Sequence, residues 1–246
     1  MNTEITHGMI DFHSHILPEI DDGSRSAEES IAMLKMEAAQ GIRKVIATPH
    51  FYADQDSPEH FLQRRRNAQK RVKEALAGCK EPVPEILLGA EVHYFSGISD
   101  VEVLNELTIE NKKCILIEMP CCKWTQKMYH ELEMIYINHG ITPIIAHVDR
   151  YVSPLSTHGI PERLSDLPVL VQANAGFFLN RCTKTMALRM LRKSQIHLLG
   201  SDCHNLSTRP PRLGEAISAI QNHSGADLIN AVIQNSQAVL KDTLQS

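Results

Sequence analysis

Ile10-Asp11-Phe12-His13-Ser14-His15 is the stretch that decides how this chain folds and what it holds. Met9 to Phe12 has the composition of a short buried strand, and two histidines stand two residues apart at its end. In an extended backbone, residues i and i+2 project to the same side. His13 and His15 therefore aim their imidazoles at one point, with Asp11 on the same face behind them. Neutral imidazole is the commonest metal-ligating side chain, so the pair reads as half of a metal site. Taken alone, a His-x-His pair is equally compatible with two solvated histidines at a strand end. The strands that follow decide between the two.

Working outward, Pro18 to Gly23 is turn-rich, and Ser26-Ala27-Glu28-Glu29 has the form of a capping box ahead of a helix that Gly41 stops. Lys44–Ala47 is a second strand, ending in Thr48-Pro49-His50, and Pro58 opens a long helix to Leu76. Glu85–Leu88 is a third strand, ending Gly89-Ala90-Glu91, and Lys113–Ile117 a fourth, ending in Glu118. A helix from about Gln126 to His139 closes at Gly140, before a fifth strand, Thr142–Ala146, that ends His147-Val148-Asp149-Arg150. Leu167–Ala173 is the sixth strand, ending in Asn174. A helix from about Lys184 to Lys193 leads to the seventh, Ile196–Gly200, which ends Ser201-Asp202-Cys203-His204. Amphipathic helices fill the remainder.

Seven strand–helix alternations, with no linker or low-complexity tract, predict an α/β fold: a distorted (β/α)7 TIM-like barrel formed by residues 1–246 as one domain. A doubly wound open sheet is the alternative, and in either case the strand ends carry the site. The net charge of −4 argues against a nucleic-acid partner that binds through a broad electropositive surface. No apolar run approaches membrane-spanning length, and residues 1–7 lack the basic start and apolar core of a signal peptide, so a cytoplasmic location without membrane insertion is expected. The six cysteines include no C-x-x-C pair, which disfavours a disulfide framework or a cysteine-bound structural zinc.

The strand ends collect His13, His15, Asp22, His50, Glu91, Glu118, His147, Asp202 and His204. Each alone has an ordinary explanation: His50 as a turn residue, Glu118 as a cap partner, Asp22 as an Asx-turn former. Together, five imidazoles and four carboxylates in one mouth would resist burial unless cations neutralised them. Nine donors exceed the coordination of one ion and suit two or three, with a carboxylate bridging; Glu91, from the middle strand, is the candidate.

The ordered set His13-x-His15, Asp21-Asp22-Gly23, Thr48-Pro49-His50, Gly89-Ala90-Glu91, Ile117-Glu118, His147-x-x-Arg150, Asn174-Ala175-Gly176 and Ser201-Asp202-x-His204-Asn205 resembles the PHP (polymerase and histidinol phosphatase) superfamily. Within it, the chain is most similar to the metal-dependent protein tyrosine phosphatases of bacterial capsule operons, from about Met9 to Leu240. The resemblance implies a trinuclear site, with Mn²⁺ as the metal and Fe or Zn as possible substitutes. One ion would take His13, His15, Glu91 and Asp202, a second Glu91, Glu118 and His147, and the third Asp22, His50 and His204. It also implies hydrolysis of phosphotyrosine on the tail of a bacterial tyrosine kinase that controls exopolysaccharide export. The family often carries Pro-Glu where this chain has Val148-Asp149, which leaves the contacts of the shorter Asp149 open.

Phosphate monoester dianions hydrolyse very slowly in water. Clustered divalent ions clamp their oxygens and lower the pKa of a bound water from ~15.7 toward ~7. Arg150 and Arg209 are the expected catalytic arginines, holding phosphoryl oxygens by charge-assisted hydrogen bonds. Rival readings remain at this level. Cys203-x5-Arg209 has the bare spacing of cysteine-dependent phosphatases, but the intervening residues include no glycine to cradle phosphate. Histidinol phosphate or another small ester is an alternative substrate, and a non-catalytic metal-binding scaffold a third possibility. Arg64-Arg65-Arg66 is either a dock for an acidic tail or a solvated helix face. His93 is a candidate neighbour of the ligands, and Trp124 and Tyr129 belong either to a substrate rim or to the core.

Overall fold

In the computed structural model, residues 8–152 and 159–241 are described. The strands, all parallel, are β1 (Ile10–Ser14), β2 (Lys44–Ala47), β3 (His50–Phe51), β4 (Glu85–Leu88), β5 (Glu91–His93), β6 (Cys114–Glu118), β7 (Thr142–Ile145), β8 (Leu170–Asn174) and β9 (Leu198–Gly200). They pair in the orders β1-β2-β4 and β3-β5-β6-β7-β8-β9. The two sheets are one in chain terms, because β2 runs into β3 and β4 into β5 with only Thr48-Pro49 and Gly89-Ala90 between them. Proline has no N–H to give a ladder, which accounts for the first break.

The helices are α1 (Ala27–Ala39), α2 (Pro58–Leu76), α3 (Leu104–Leu107), α4 (Gln126–His139), α5 (Ile160–Leu164), α6 (Ala175–Leu179), α7 (Lys184–Arg192), α8 (Leu213–Ser224) and α9 (Ala226–Lys241). The long ones start and stop where the sequence signals. Ser26 accepts the Glu29 N–H, Ser57 the His60 N–H, and Gly140 ends α4 in the left-handed conformation. The capping box at α1 is offset: the Glu29 carboxylate accepts from the Arg25 N–H, one residue before the cap, rather than from Ser26. The sixth and seventh strands begin later than expected, at Leu170 and Leu198, and β1 runs on to Ser14.

Strand side chains are buried on both faces. Ile10, Phe12, Ile46, Leu116, Ile144 and Leu198 form an apolar cluster of their own, whereas Val45, Ile115, Ile117, Ile145 and Leu199 join the larger cluster beneath the helices. Such alternation without a polar face is what a parallel α/β sheet requires. The result is a parallel sheet curled into a half-barrel with helices around it.

The sheet's first and last strands, β1 and β9, approach one another at their C-terminal ends. Ser14 and Cys203 form a backbone bridge, the His15 N–H donates to the Cys203 carbonyl at 2.9 Å, and the Asp202 N–H donates to the His13 carbonyl at 2.8 Å. One carboxylate spans this seam: Asp11 Oδ1 accepts both the His13 N–H at 3.0 Å and the Ser201 N–H at 2.8 Å. Asp11 does not share the histidines' face, as the alternation of an uninterrupted strand would require. The β1–β2 register shifts between Asp11 and Ser14, and Asp11 clusters with Glu37 of α1 and with Cys203, all fully buried.

The seam leaves no room for a side chain at position 200. A Cβ on Gly200 would lie 2.6 Å from His13 Cβ and 2.7 Å from Gln172 Nε2. Gly200→Ala should therefore cost roughly 1–3 kcal/mol, seen as a Tm lowered by about 3–10 °C in thermal melts. Gly176→Ala adds a methyl with nothing within 4 Å and should shift Tm by less than about 2 °C.

Candidate metal centre

The strand ends deliver all of the expected donors to one place. His13 Nε2 lies 3.1 Å from Glu91 Oε2 and 3.5 Å from Asp202 Oδ1, and His15 Nε2 lies 3.3 and 3.5 Å from the same two atoms. His147 Nε2 is 2.8 Å from Glu91 Oε1 and 3.3 Å from Glu118 Oε1. Asp22 Oδ1 is 3.5 Å from His50 Nε2 and 3.3 Å from His204 Nε2. Glu91 sits in the middle, since His50 Nδ1 is also 3.0 Å from its Oε2. Three overlapping sets result: His13-His15-Asp202, His15-Asp22-His50-His204 and His50-Glu91-Glu118.

Burial grades across the group. His13, His15, Glu91, His147 and His204 are at most 2% exposed, whereas Asp22 is open to solvent. Two positions carry backbone strain. His147 and Asp202 adopt φ of 33° and 53°, left-handed values that cost an L-residue of this kind about 1 kcal/mol or more.

Polar partners on the far side of four of the five rings, all but His50, turn those imidazoles inward. His15 Nδ1 lies 2.7 Å from Asp21 Oδ2, His13 Nδ1 3.3 Å from Gln172 Oε1, His204 Nδ1 3.1 Å from the Asp202 carbonyl, and His147 Nδ1 3.4 Å from the Tyr151 hydroxyl. A ring that donates from Nδ1 presents a bare electron pair at Nε2. Asp21 also accepts the Gly23 and His50 N–H groups. Gln172 accepts the His147 N–H and donates to Asn174, whose amide donates to Asp202.

The donors lack what they need from protein alone. His50 Nδ1, His204 Nε2 and Glu91 Oε2 are fully buried without a hydrogen bond. Burial opposes charge on the carboxylates, but the surrounding imidazoles outweigh it. They hold Glu91 well below the ordinary carboxylate range, Glu118 at about 2, and Asp202 lower still. In return, and against burial, His15 is driven well above its ordinary value by Asp21, Asp202 and Glu91, and His147 up to about 9 by Glu118 and Glu91. Burial and His15 push His204 the other way, to about 4, so its neutral ring aims an electron pair at the Asp22 carboxylate. Such a pocket is short of positive charge, which protons supply in part and divalent cations supply fully. The donors fit a metal centre of two or three ions.

The expected arginines reach the same mouth. Arg150 Nη1 donates to Glu118 Oε1 at 2.6 Å, and Arg209 Nη2 lies 2.7 Å from Asp202 Oδ2. Both are more than a third exposed, so each guanidinium keeps a solvent-facing side. His93 Nδ1 lies 3.2 Å from Glu118 Oε2, and Asp149 Oδ1 accepts the Asn174 N–H, the contact that its shorter side chain had left open.

Other residues lie elsewhere. Trp124 and Tyr129 are core residues, 4% and 6% exposed, with Trp124 set edge-on to Tyr151 at a centroid distance of 5.1 Å. The arginine run splits three ways. Arg65 is buried against the Gly89 and Glu106 carbonyls, Arg64 donates to the Ile20 carbonyl, and Arg66 pairs with Gln63, so no single basic stripe exists. Cys203 faces Asp11 and Glu37 at 0% exposure, and burial, reinforced by Glu37 and Asp11, keeps it a thiol. It is not placed or poised as a nucleophile. None of the six cysteines is in a disulfide, and His7 and His158 lie outside the described residues. Asp21, Gln172 and Tyr151 were not singled out from sequence; of these only Asp21, beside Asp22, carried a local signal.

The chain is similar to known proteins over nearly its whole length. Tyrosine-protein phosphatase CpsB of Streptococcus pneumoniae is 31% identical over 252 residues, covering 96% of this chain and 100% of that one. Tyrosine-protein phosphatase YwqE of Bacillus subtilis is 28% identical, covering 95% and 92%. A crystal structure from a study of YwqE and S. pneumoniae CpsB, described as unique metal-dependent tyrosine phosphatases, superposes with a TM-score of 0.80 at 25% identity, over 97% of this chain and 96% of that one. Residues 9–241 match the family described as capsular polysaccharide synthesis, CpsB/CapC, and the chain belongs to that family.

Proposed function

We propose that this chain is a metal-dependent phosphotyrosine-protein phosphatase. The observation that carries the proposal is the set of buried donors without partners at His50, Glu91 and His204, next to two half-exposed arginines, in a chain that aligns end to end with tyrosine phosphatases. His13, His15, Glu91 and Asp202 would hold one ion, Glu91, Glu118 and His147 a second, and Asp22, His50 and His204 a third, with Mn²⁺ the proposed metal. When bound, the ions supply Lewis acidity to phosphoryl oxygens and make a water acidic enough to serve as a nucleophile near neutral pH.

The protein's own residues do the rest. Arg150 and Arg209, each already lying across a ligand carboxylate, turn their free N–H groups to the phosphoryl oxygens and stabilise the charge that builds there. Asp21 and Gln172 fix the ring orientations of His15 and His13. Phenol, with a pKa near ~10, leaves without a strong general acid, which suits tyrosine esters. The proposed partner is the phosphorylated tail of a bacterial tyrosine kinase that regulates exopolysaccharide synthesis, met in the cytoplasm; no described helix is long and apolar enough to cross a membrane. The Ser14–Cys203 bridge supports reading the single 1–246 domain as a distorted (β/α)7 barrel. Histidinol phosphate is the less favoured substrate, because the curated relatives matched are named for tyrosine phosphatase activity.

Stripping divalent ions with a chelator should abolish turnover of a phosphotyrosine peptide, and Mn²⁺ should restore it, while Cys203→Ser retains activity; chelator resistance with a dead Cys203→Ser would refute the proposal. Arg209→Ala and Arg150→Ala should each lower kcat roughly 10³-fold or more at unchanged ion content by mass spectrometry. Asp21→Asn should keep the fold and weaken ion binding about 10–100-fold in calorimetric titrations.

A further inference from the structure

Beside the donors lies a cavity of about 360 Å³, within the range of small-ligand sites. It opens directly onto Asp22 and His50, and its walls include Ile20, Tyr52 and Gln55. Tyr52 follows His50 by two residues, just after β3, and its half-buried ring lies close to two imidazoles. The centroids lie 5.4 Å from His50, tilted 34°, and 5.3 Å from His93, tilted 40°. His93 is itself tied to Glu118, and His50 stands between Glu91 and Asp22. Tyr52 is thus an aromatic face whose rotamer is set before anything binds, so little side-chain entropy remains to be lost.

We propose that Tyr52 is the specificity-determining residue for the aryl group of the substrate: the ring of the phosphorylated tyrosine enters this cavity and stacks on it. The proposal rests on the phosphotyrosine reading above and names the element that discriminates aryl from alkyl phosphates. The ester oxygen joins phosphorus directly to the ring, so a phosphate held at a cation site bordered by Asp22 and His50 would bring the ring to the adjoining wall. Offset or tilted aromatic pairs add about 0.5–1.5 kcal/mol beyond burial, roughly three- to tenfold in affinity. A seryl or threonyl phosphate gains none of it. A second cavity, of about 450 Å³, flanks the mouth on the Arg209 side, but its lining, which includes Asn174, Leu179 and Thr208, has no aromatic ring.

The test separates ring binding from leaving-group chemistry by using phosphonates, which cannot be hydrolysed. Dissociation constants of phenylphosphonate and methylphosphonate are measured by calorimetric titration of the Mn²⁺-loaded protein for wild type, Tyr52→Leu, Tyr52→Gln, Tyr52→Phe and Leu179→Ala. Both non-aromatic variants should lose three- to tenfold for phenylphosphonate and nothing for methylphosphonate, and Tyr52→Phe should restore the difference. In turnover of a phosphotyrosine peptide the loss should fall on KM rather than kcat. Phenylphosphonate binding unchanged in Tyr52→Leu and Tyr52→Gln overturns the proposal. So does equal weakening of both phosphonates, which would make Tyr52 a support for His50, and so does a loss that follows Leu179→Ala instead. A wild type inactive on every phosphotyrosine peptide refutes the proposed function, while the phosphonate ratio still decides the role of Tyr52.

Discussion

Carboxylates and imidazoles removed from water must be matched by positive charge, and the architecture of this protein follows from that requirement. Glu91 lies within 3.3 Å of four imidazoles while being 1% exposed. No arrangement of apolar packing compensates such a group, so the surroundings are built to supply or receive charge. Parallel strands suit the task because their C-terminal ends meet on one side of the sheet, each bringing one or two donors from a different part of the chain. The left-handed backbone at His147 and Asp202 is a further mark of the same constraint: side-chain direction has been favoured over local conformational ease.

Much of this was legible in the sequence because its signals are local. A short apolar run followed by His13-Ser14-His15, or by Asp202-Cys203-His204, states both a strand and the donors at its end. Glycine and serine at helix boundaries behave in the same way, through a conformation or a single hydrogen bond. What stayed hidden depends on distant partners. Asp11 looked like a neighbour of the ligands, yet a register shift turns it to Glu37, which projects from α1. The three consecutive arginines looked like one feature, yet the helical repeat sends them to three surroundings. Asp21 and Asp22 are adjacent and chemically alike; only the fold decides that Asp21 backs His15 while Asp22 faces His50 and His204.

The proposed role of the arginines rests on contacts that the protein makes by itself. Arg150 lies on the Glu118 oxygen that also faces His147, whereas Arg209 lies on the Asp202 oxygen turned away from His13 and His15. The same carboxylate therefore sets the position of a donor cluster and of a guanidinium. The proposed phosphate recognition and cation binding would therefore share a single charge network, and a change at either carboxylate would be felt by both.

Cys203 sits immediately after Asp202, sealed from solvent and kept as a thiol. Peroxide silences enzymes that depend on an ionised sulfur, because that sulfur is their nucleophile and is easily oxidised to the sulfenic acid. Here the corresponding atom is withheld from the chemistry and from the oxidant alike. The burial that withholds Cys203 leaves proton and cation supply to the strand-end donors as the quantities on which the pocket depends.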